Sequence, residues 1–363
     1  MKFITTARGL EDCIAALDNG KPLAMDTEFM RTRTYYAQLA LLQFTTGDDV
    51  FLVDPLAIDD LQPLWDFLAG PQTKVLHACG EDLEVLPCDM APLFDTQVAA
   101  TFTGLGMSLG YAGLVKHFFD VELDKGQSRT DWMKRPLSEA QLRYCVNDVI
   151  YLPNAQQRLS EALERLGRTA WFEDECNRQL RLRGREPALD KAYLEVKNAW
   201  LLSRRELGVL KVLAAWRLDS AKRRDMAVGH VLKDDQLWAL AKDQPQSRSA
   251  LKQLELPPVV LRKFGDELLE MVGRGLALDE EQLPGRIERI IDLPKYKERL
   301  AELKAQVARA AAETDLPEAF IGSKKLLHEV LHYRHRLNDQ EREQAAKPVL
   351  MTGWRQELVT LDV

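Results

Sequence analysis

Two kinds of apolar pattern run along the chain, and they occupy different halves of it. In the first, short runs of four to eight apolar residues are bounded by turn residues, the mark of buried strands. Pro22-Leu23-Ala24-Met25 opens such a run over 22–29, and Leu39 to Thr45 and Val50 to Val53 flank Thr46-Gly47-Asp48-Asp49, a hairpin signal. Lys74 to His77 is a short strand that turns through Gly80 into a helix ending near Leu86. Apolar residues at helical spacing predict further helices at 7–19, 60–68, 95–102, 108–119 and 138–161. Strands first, with helices interleaved afterwards, predict an α/β core: a mixed sheet flanked by helices.

After about residue 165 only the helical pattern remains. Residues 167–202 read as a helical connection. Amphipathic helices follow from 203 to 280, broken at Asp243-Gln244-Pro245 and Leu256-Pro257-Pro258. A second helical block runs from about 290 onward, broken at Leu316-Pro317 and Lys347-Pro348. A chain of 363 residues exceeds one ordinary core. The expected division is a core at 1–165, a connection at 166–202, and all-α modules at 203–285 and 286–363. The two modules are similar in length, and each has a helix with a basic face (204–224 and 324–336), which fits a diverged duplication.

Composition narrows the class. No apolar run approaches the roughly 20 residues of a membrane span, and the acids within Met1 to Asn19 do not fit a secretion signal. Five cysteines stand singly, without C-x-x-C pairs, which points to a reducing cytoplasm and away from disulfides or a zinc finger. The net charge of −7 is unevenly spread: residues 1–160 hold 13 Lys and Arg against 22 Asp and Glu, and the remainder holds 36 against 34. Arg204 to Arg224 contains seven bases, read either as a solvated helix face or as a phosphate-binding stripe.

The candidate chemistry is acidic. Asp26 and Glu28 follow the first strand run, and alternation points both to one face. Tyr144 and Asp148 stand at i and i+4 on a helix that Ser138 is placed to cap. Asp82 falls in the first turn of the helix after Gly80. At about 4 Å and an effective dielectric near 20, each like-charged pair would repel by roughly 4 kcal/mol. Such a cluster needs protons or a cation, and oxygen-only ligands select a hard one, Mg²⁺ or Mn²⁺.

D-x-E after a strand, H-x4-D at a strand-to-helix turn and Y-x3-D on a later helix occur here in that order. At these residues the chain resembles the DEDD exonucleases, in the branch with tyrosine in the third motif, and within it the ribonuclease D family. The resemblance extends through Arg31 to Tyr36, Leu76-His77-Ala78, Glu81 to Glu84, Asp95-Thr96-Gln97, Ser128 to Trp132 and Arg135-Pro136-Leu137. It covers residues 1–160 strongly. The helical blocks resemble HRDC modules more faintly, with Gly353-Trp354-Arg355 matching the second. The resemblance implies a ribonuclease-H-like fold and 3′-to-5′ hydrolysis of RNA to nucleoside 5′-monophosphates, in maturation of tRNA 3′ ends. It also implies two divalent metal ions: Asp26 bridges them, Glu28 and Asp148 complete the site that activates water, and Asp82 supports the other ion. Tyr144 acts either as a base or by orienting the water; a phenol with a pKa near 10 favours orientation.

Other residues have two readings each. Thr27 and Phe29 flank the carboxylates where family counterparts contact the terminal nucleotide, though alternation also suits Phe29 to the core. His77 either touches substrate or closes a strand end. Arg31, Arg33, Arg129, Lys134 and Arg135 are candidate phosphate contacts. His328, His332 and His335 share a helix face, but Arg334 and Arg336 suit a basic surface better than a metal site. No G-x-x-x-x-G-K-[ST] occurs, so no nucleotide cofactor is expected. The expectation is a monomeric cytoplasmic exoribonuclease acting on tRNA precursors and other structured RNA with a free 3′ end. A DNA-directed exonuclease and a catalytically silent RNA-binding adaptor are the alternatives.

Overall fold

The computed structural model describes residues 1–124, 126–184 and 188–359; residues 185–187 of the expected connection and 360–363 of the second helical block lie outside the described residues. The chain forms two compact units. One comprises Met1–Met30, Leu39–Gly184 and Leu293–Val363, and the other Arg31–Gln38 with Arg185–Asp292.

In the first unit a six-stranded sheet is built from β1 (Lys2–Ile4), β2 (Leu23–Met30), β3 (Gln38–Thr45), β4 (Val50–Val53), β5 (Lys74–Leu76) and β6 (Leu93–Asp95). Their order is β1-β4-β3-β2-β5-β6. β1 runs parallel to β4, β5 runs parallel to β2 and β6, and β3 pairs antiparallel with β4. The mixed sheet expected from the pattern is present. Gly47 turns the β3–β4 hairpin at φ +109°, where a Cβ would be strained. Leu23, Ala24 and Met25 of β2 and Ala40, Leu41 and Leu42 of β3 are fully buried, so β2 is held at the centre of the sheet. At roughly 1.5–3 kcal/mol for each large apolar side chain removed from water, this burial anchors β2 in the sheet on both of its faces.

Among the described residues, eight helices accompany the sheet: α1 (Ala7–Leu17), α2 (Gln62–Leu68), α3 (Gly80–Val85), α4 (Thr96–Phe102), α5 (Tyr111–Phe119), α6 (Glu139–Ile150), α7 (Leu152–Arg165) and α8 (Thr169–Leu182). The helix expected over 138–161 is two helices meeting at Tyr151. Pro153 has no N–H to donate, and its ring is tolerated only in a first turn, so it begins α7 rather than continuing α6. β1 and β6, three residues each, were not signalled by the pattern because they are too short to show alternation.

The second unit contains α9 (Arg204–Arg223), α10 (Val228–Val231), α11 (Asp234–Asp243), α12 (Arg248–Lys252) and α13 (Pro258–Leu276) around a core of Leu207, Leu210, Leu213, Leu237 and Leu268. α9 and α13 meet at Gly275, where a Cβ would stand 2.6 Å from the Val209 Cα. Several of the seven bases in Arg204 to Arg224, read either as a solvated helix face or as a phosphate-binding stripe, have carboxylate partners. Arg205 reaches Glu280 (2.7 Å), Arg217 reaches Asp234 (2.7 Å), Arg223 reaches Asp219 (2.7 Å) and Arg224 reaches Glu267 (2.8 Å). Arg217 also donates to the Leu232 carbonyl. Arg205, Arg217 and Arg224 tie α9 to other segments of the module, whereas Arg223 pairs along α9 itself.

The last helices, α14 (Tyr296–Thr314), α15 (Glu318–Gly322), α16 (Lys324–His335), α17 (Asp339–Gln344) and α18 (Gly353–Leu358), belong to the same unit as the sheet. Glu175 of α8, 2% exposed, accepts from Arg355 Nη1 (2.6 Å), Trp354 Nε1 (3.2 Å) and Arg178 Nε (2.9 Å). Phe102, Phe320 and Trp354 pack ring against ring beside this ion pair, at 5.0–5.4 Å.

Candidate active site

The site begins with β2. Successive side chains of a strand alternate in direction, so Asp26 and Glu28 share a face and Thr27 points away. α6 supplies the second element. Its start is fixed by a reciprocal capping box between Ser138 and Gln141, which sets the helical phase that places Tyr144 and Asp148 on one side. Asp26, Glu28 and Asp148 each bring an oxygen within 4.8 Å of the others, the one such cluster among the described residues.

Burial and mutual repulsion set the electrostatics. Glu28, 9% exposed, is pushed up to about 9 by burial and then by Asp148 and Asp82. Asp26 is raised well above the carboxylate range by burial, then by Asp82, Asp148 and Glu28. Burial raises Asp148 to about 7 against the opposing effect of a hydrogen bond from the Tyr144 hydroxyl. The other Asp148 oxygen, Oδ2, is buried without a hydrogen-bond partner. An orphaned acceptor beside two more acceptors, with no base among them, is a donor set suited to a hard divalent cation.

Asp82 stands outside that group of three, although its charge acts on Asp26 and Glu28. It lies in the first turn of α3, 7% exposed, raised to about 6 by burial, and its Oδ1 accepts from Thr27 Oγ1. Thr27 therefore orients Asp82; its hydroxyl is taken by that bond. The turn carrying α3 is held by Asp95, whose carboxylate accepts from Ala78 N (3.0 Å) and Cys79 N (3.1 Å) while also capping α4 through Gln97 N (2.8 Å). Ala78 sits at φ +58°, and these bonds offset its strain. The positioning role of Asp95 was not read from the sequence, though an Asp at the end of a strand and the start of a helix is a cap signal.

The remaining expected residues divide. Both ring nitrogens of His77 have partners within the protein. Nε2 meets the Leu109 carbonyl at 3.0 Å, and Nδ1 meets Thr96 Oγ1 at 2.9 Å. Burial lowers its pKa, Nε2–H donates to the carbonyl, and Nδ1 meets a hydroxyl that also reaches the Leu76 carbonyl at 3.0 Å. Arg135 is likewise structural, forked onto Asp54 at 2.6 and 2.8 Å with further bonds to the Trp132 and Ala40 carbonyls. Phe29 is half-buried at the end of β2, while Arg129 and Lys134 are exposed between α5 and α6. His328 pairs with the Tyr296 hydroxyl at 2.9 Å, while His332 and His335 are exposed. Two residues beside the site went unnoticed in the sequence. The Tyr111 hydroxyl donates to the Asn147 carbonyl (3.0 Å) one residue before Asp148. Gln43 of β3, fully buried, has neither amide atom partnered.

A mixed sheet whose central strand and a later helix gather acidic oxygens suited to a cation defines a 3′–5′ exonuclease, and residues 1–164 match the 3′-5′ exonuclease family. Residues 206–272 match the HRDC domain, and 294–363 match the C-terminal HRDC domain of ribonuclease D. The ribonuclease D of Psychromonas ingrahamii is 40% identical over 362 residues, covering 99% of this chain and 98% of that protein. That of Escherichia coli is 37% identical over 366 residues, covering 99% and 96%. The crystal structure of Escherichia coli RNase D, described as an exoribonuclease involved in structured RNA processing, aligns with a TM-score of 0.93 over 99% of this chain and 96% of that one. The chain belongs to the ribonuclease D family and is a 3′–5′ exoribonuclease. No helix among the described residues is long and apolar enough to cross a membrane.

Proposed function

We propose that the chain trims RNA from its 3′ end by in-line hydrolysis assisted by two divalent ions, Mg²⁺ or Mn²⁺, releasing nucleoside 5′-monophosphates and maturing tRNA 3′ ends. One observation carries the reading: Asp26, Glu28 and Asp148 converge within 4.8 Å around a buried, unpartnered Asp148 oxygen. Those three residues would hold one ion, and Asp26 with Asp82 the other. The ions, when bound, would neutralise the carboxylates, make water a better nucleophile and stabilise the attacking and leaving oxygens. The chain's own groups do the positioning. Burial, followed by the Asp148 and Glu28 charges, raises the Tyr144 phenol further above its ordinary value, so it keeps its proton at neutral pH. We assign it the orientation of the attacking water by a hydrogen bond, a smaller demand on a phenol of ordinary pKa near 10 than acting as a base. Thr27 fixes the rotamer of Asp82. The expected division into a core at 1–165, a connection at 166–202 and modules at 203–285 and 286–363 is part of the same proposal, with the modules holding the body of a structured RNA. The structured-RNA role of the Escherichia coli relative supports that substrate class.

A time course on a tRNA precursor labelled at its 5′ end tests polarity, ion dependence and substrate class together. Products should shorten from the 3′ end only with Mg²⁺ or Mn²⁺, and an Asp26→Asn chain with an unchanged circular dichroism spectrum should lose turnover. Ordinary turnover by that variant would remove Asp26 from the site. Equal rates on DNA of the same sequence would reassign the substrate.

A further inference from the structure

α3, which carries Asp82, is six residues long, and a helix of less than two turns is not stable alone. Its last carbonyls have no partner within the helix. α8 supplies what α3 lacks at both ends. At the start of α3 the Cys79 thiol donates to Gln179 Oε1 at 3.1 Å. At its end stands the guanidinium of Arg183, the residue that closes α8. Nε donates to the Leu83 carbonyl at 2.8 Å, Nη2 to the Leu86 carbonyl and Nη1 to the Cys88 carbonyl. One planar fork thus serves three carbonyls at the end of α3 and just past it. α8 is a firm anchor because it is itself held. Phe172 packs on Phe94 of β6 at 4.5 Å, Cys176 is buried, and Glu175 accepts from Arg355 and Trp354. All of these residues belong to the unit that contains the sheet.

We propose that Arg183 is a positioning residue for the exonuclease reaction: by gripping the end of α3 it fixes the backbone from which Asp82 reaches the ion it shares with Asp26. Leu83, whose carbonyl meets Nε, directly follows Asp82. The Asp82 carbonyl in turn accepts from the N–H of Leu86, whose own carbonyl meets Nη2. A turn released from Arg183 therefore carries Asp82 with it. The bond from Thr27 sets the direction of the Asp82 carboxylate but not the backbone below it. This role rests on the proposed reading of Asp82 as an ion ligand, yet it fails separately, because the grip on α3 is measurable with no ion present.

Two substitutions test the fork in the full-length chain. Arg183→Met keeps an unbranched apolar stem and removes every donor, whereas Arg183→Lys keeps the charge but donates from one nitrogen, too few points for three carbonyls. In EDTA, amide hydrogen exchange at Leu83 and Leu86 should be at least about tenfold faster in Arg183→Met, the scale of one lost hydrogen bond to a charged group. On short single-stranded RNA, the Mn²⁺ concentration giving half-maximal turnover should rise about tenfold, the low end for groups that orient a metal ligand. At saturating Mn²⁺, kcat and the KM for RNA should stay within about twofold, since the ion then holds Asp82 in place. Arg183→Lys should shift exchange and Mn²⁺ requirement in the same direction by less, and it decides the matter if Arg183→Met does not fold. Unchanged exchange would overturn the grip. Faster exchange with an unchanged Mn²⁺ requirement would overturn the positioning role while leaving the Asp82 reading in place. Asp82→Asn should lose turnover; ordinary turnover by that variant would remove the ion role of Asp82, and the positioning role with it, whatever the exchange shows.

Discussion

Glu28 holds its proton to about pH 9 and Asp148 to about pH 7, so without a cation the folded chain carries protons that the unfolded chain has released. Both folded pKa values are raised, so the sign of the linkage is fixed: the folded state binds more protons, and stability falls as pH rises from the ordinary carboxylate range through about pH 9. In EDTA the denaturation midpoint should therefore fall between about pH 5 and pH 9, and Glu28→Gln should flatten the fall. Mg²⁺ should raise the midpoint more at the upper end, where it has no protons to displace. A midpoint indifferent to both pH and ion would refute this account of the cluster. The same residues were legible in the sequence, because D-x-E on a strand and Y-x3-D on a helix fix direction through periodicities of 2 and 3.6. The partners of basic residues were not. Arg135 and Arg217 look like phosphate contacts until Asp54 and Asp234 are seen beside them. Nothing in local sequence joins positions separated by 81 and 17 residues.

At the scale of elements, α6 is where sequence and site agree most closely. Its phase is set by the Ser138 capping box and read out within about three turns, which brings the Tyr144 hydroxyl onto Asp148. Tyr144→Phe should leave the helix intact and slow single-turnover cleavage by about a hundredfold, the low end for removing a group that handles the reacting water. A loss confined to KM would place Tyr144 in binding instead. α8 makes a different claim. Burial would raise Glu175, but its bonds to Arg178 and Arg355 outweigh it and hold the group down to about 2. That depressed pKa contributes stability in full above the unfolded value of 4.5, and the contribution is lost as pH falls towards 2. Arg355→Ala should cost roughly 3 kcal/mol at neutral pH and move acid unfolding to higher pH. An unchanged acid midpoint would mean that Arg178 alone suffices. The sequence marked Gly353-Trp354-Arg355 as a resemblance only. That it closes over α8 depends on a partner 180 residues away, beyond any local pattern.

For the whole molecule, the charge distribution sets the problem that the helical modules have to solve. Residues 1–160 are strongly acidic, as the site requires, and that half repels RNA at long range. Attraction must come from elsewhere, and much of the positive charge of α9 is offset by carboxylates beside it. Deleting residues 203–363 is no clean test, since it would also take Arg355 and Trp354 from Glu175. The exposed Lys324 and Lys325 at the start of α16 are better placed. Further along that helix His335 is lowered by burial and then by the charges of Arg299, Arg334 and Arg342. Replacing both lysines by alanine should weaken binding to tRNA about tenfold and reduce the slope of log affinity against log salt by about two, roughly one for each phosphate left without its lysine. Turnover of a short single strand, which reaches the acidic core without engaging α16, should stay within about twofold, since the second attachment acts only by raising local concentration. Equal losses on tRNA and on the short strand would show that α16 does not tether the RNA body, and an unchanged salt slope would show that neither lysine meets a phosphate.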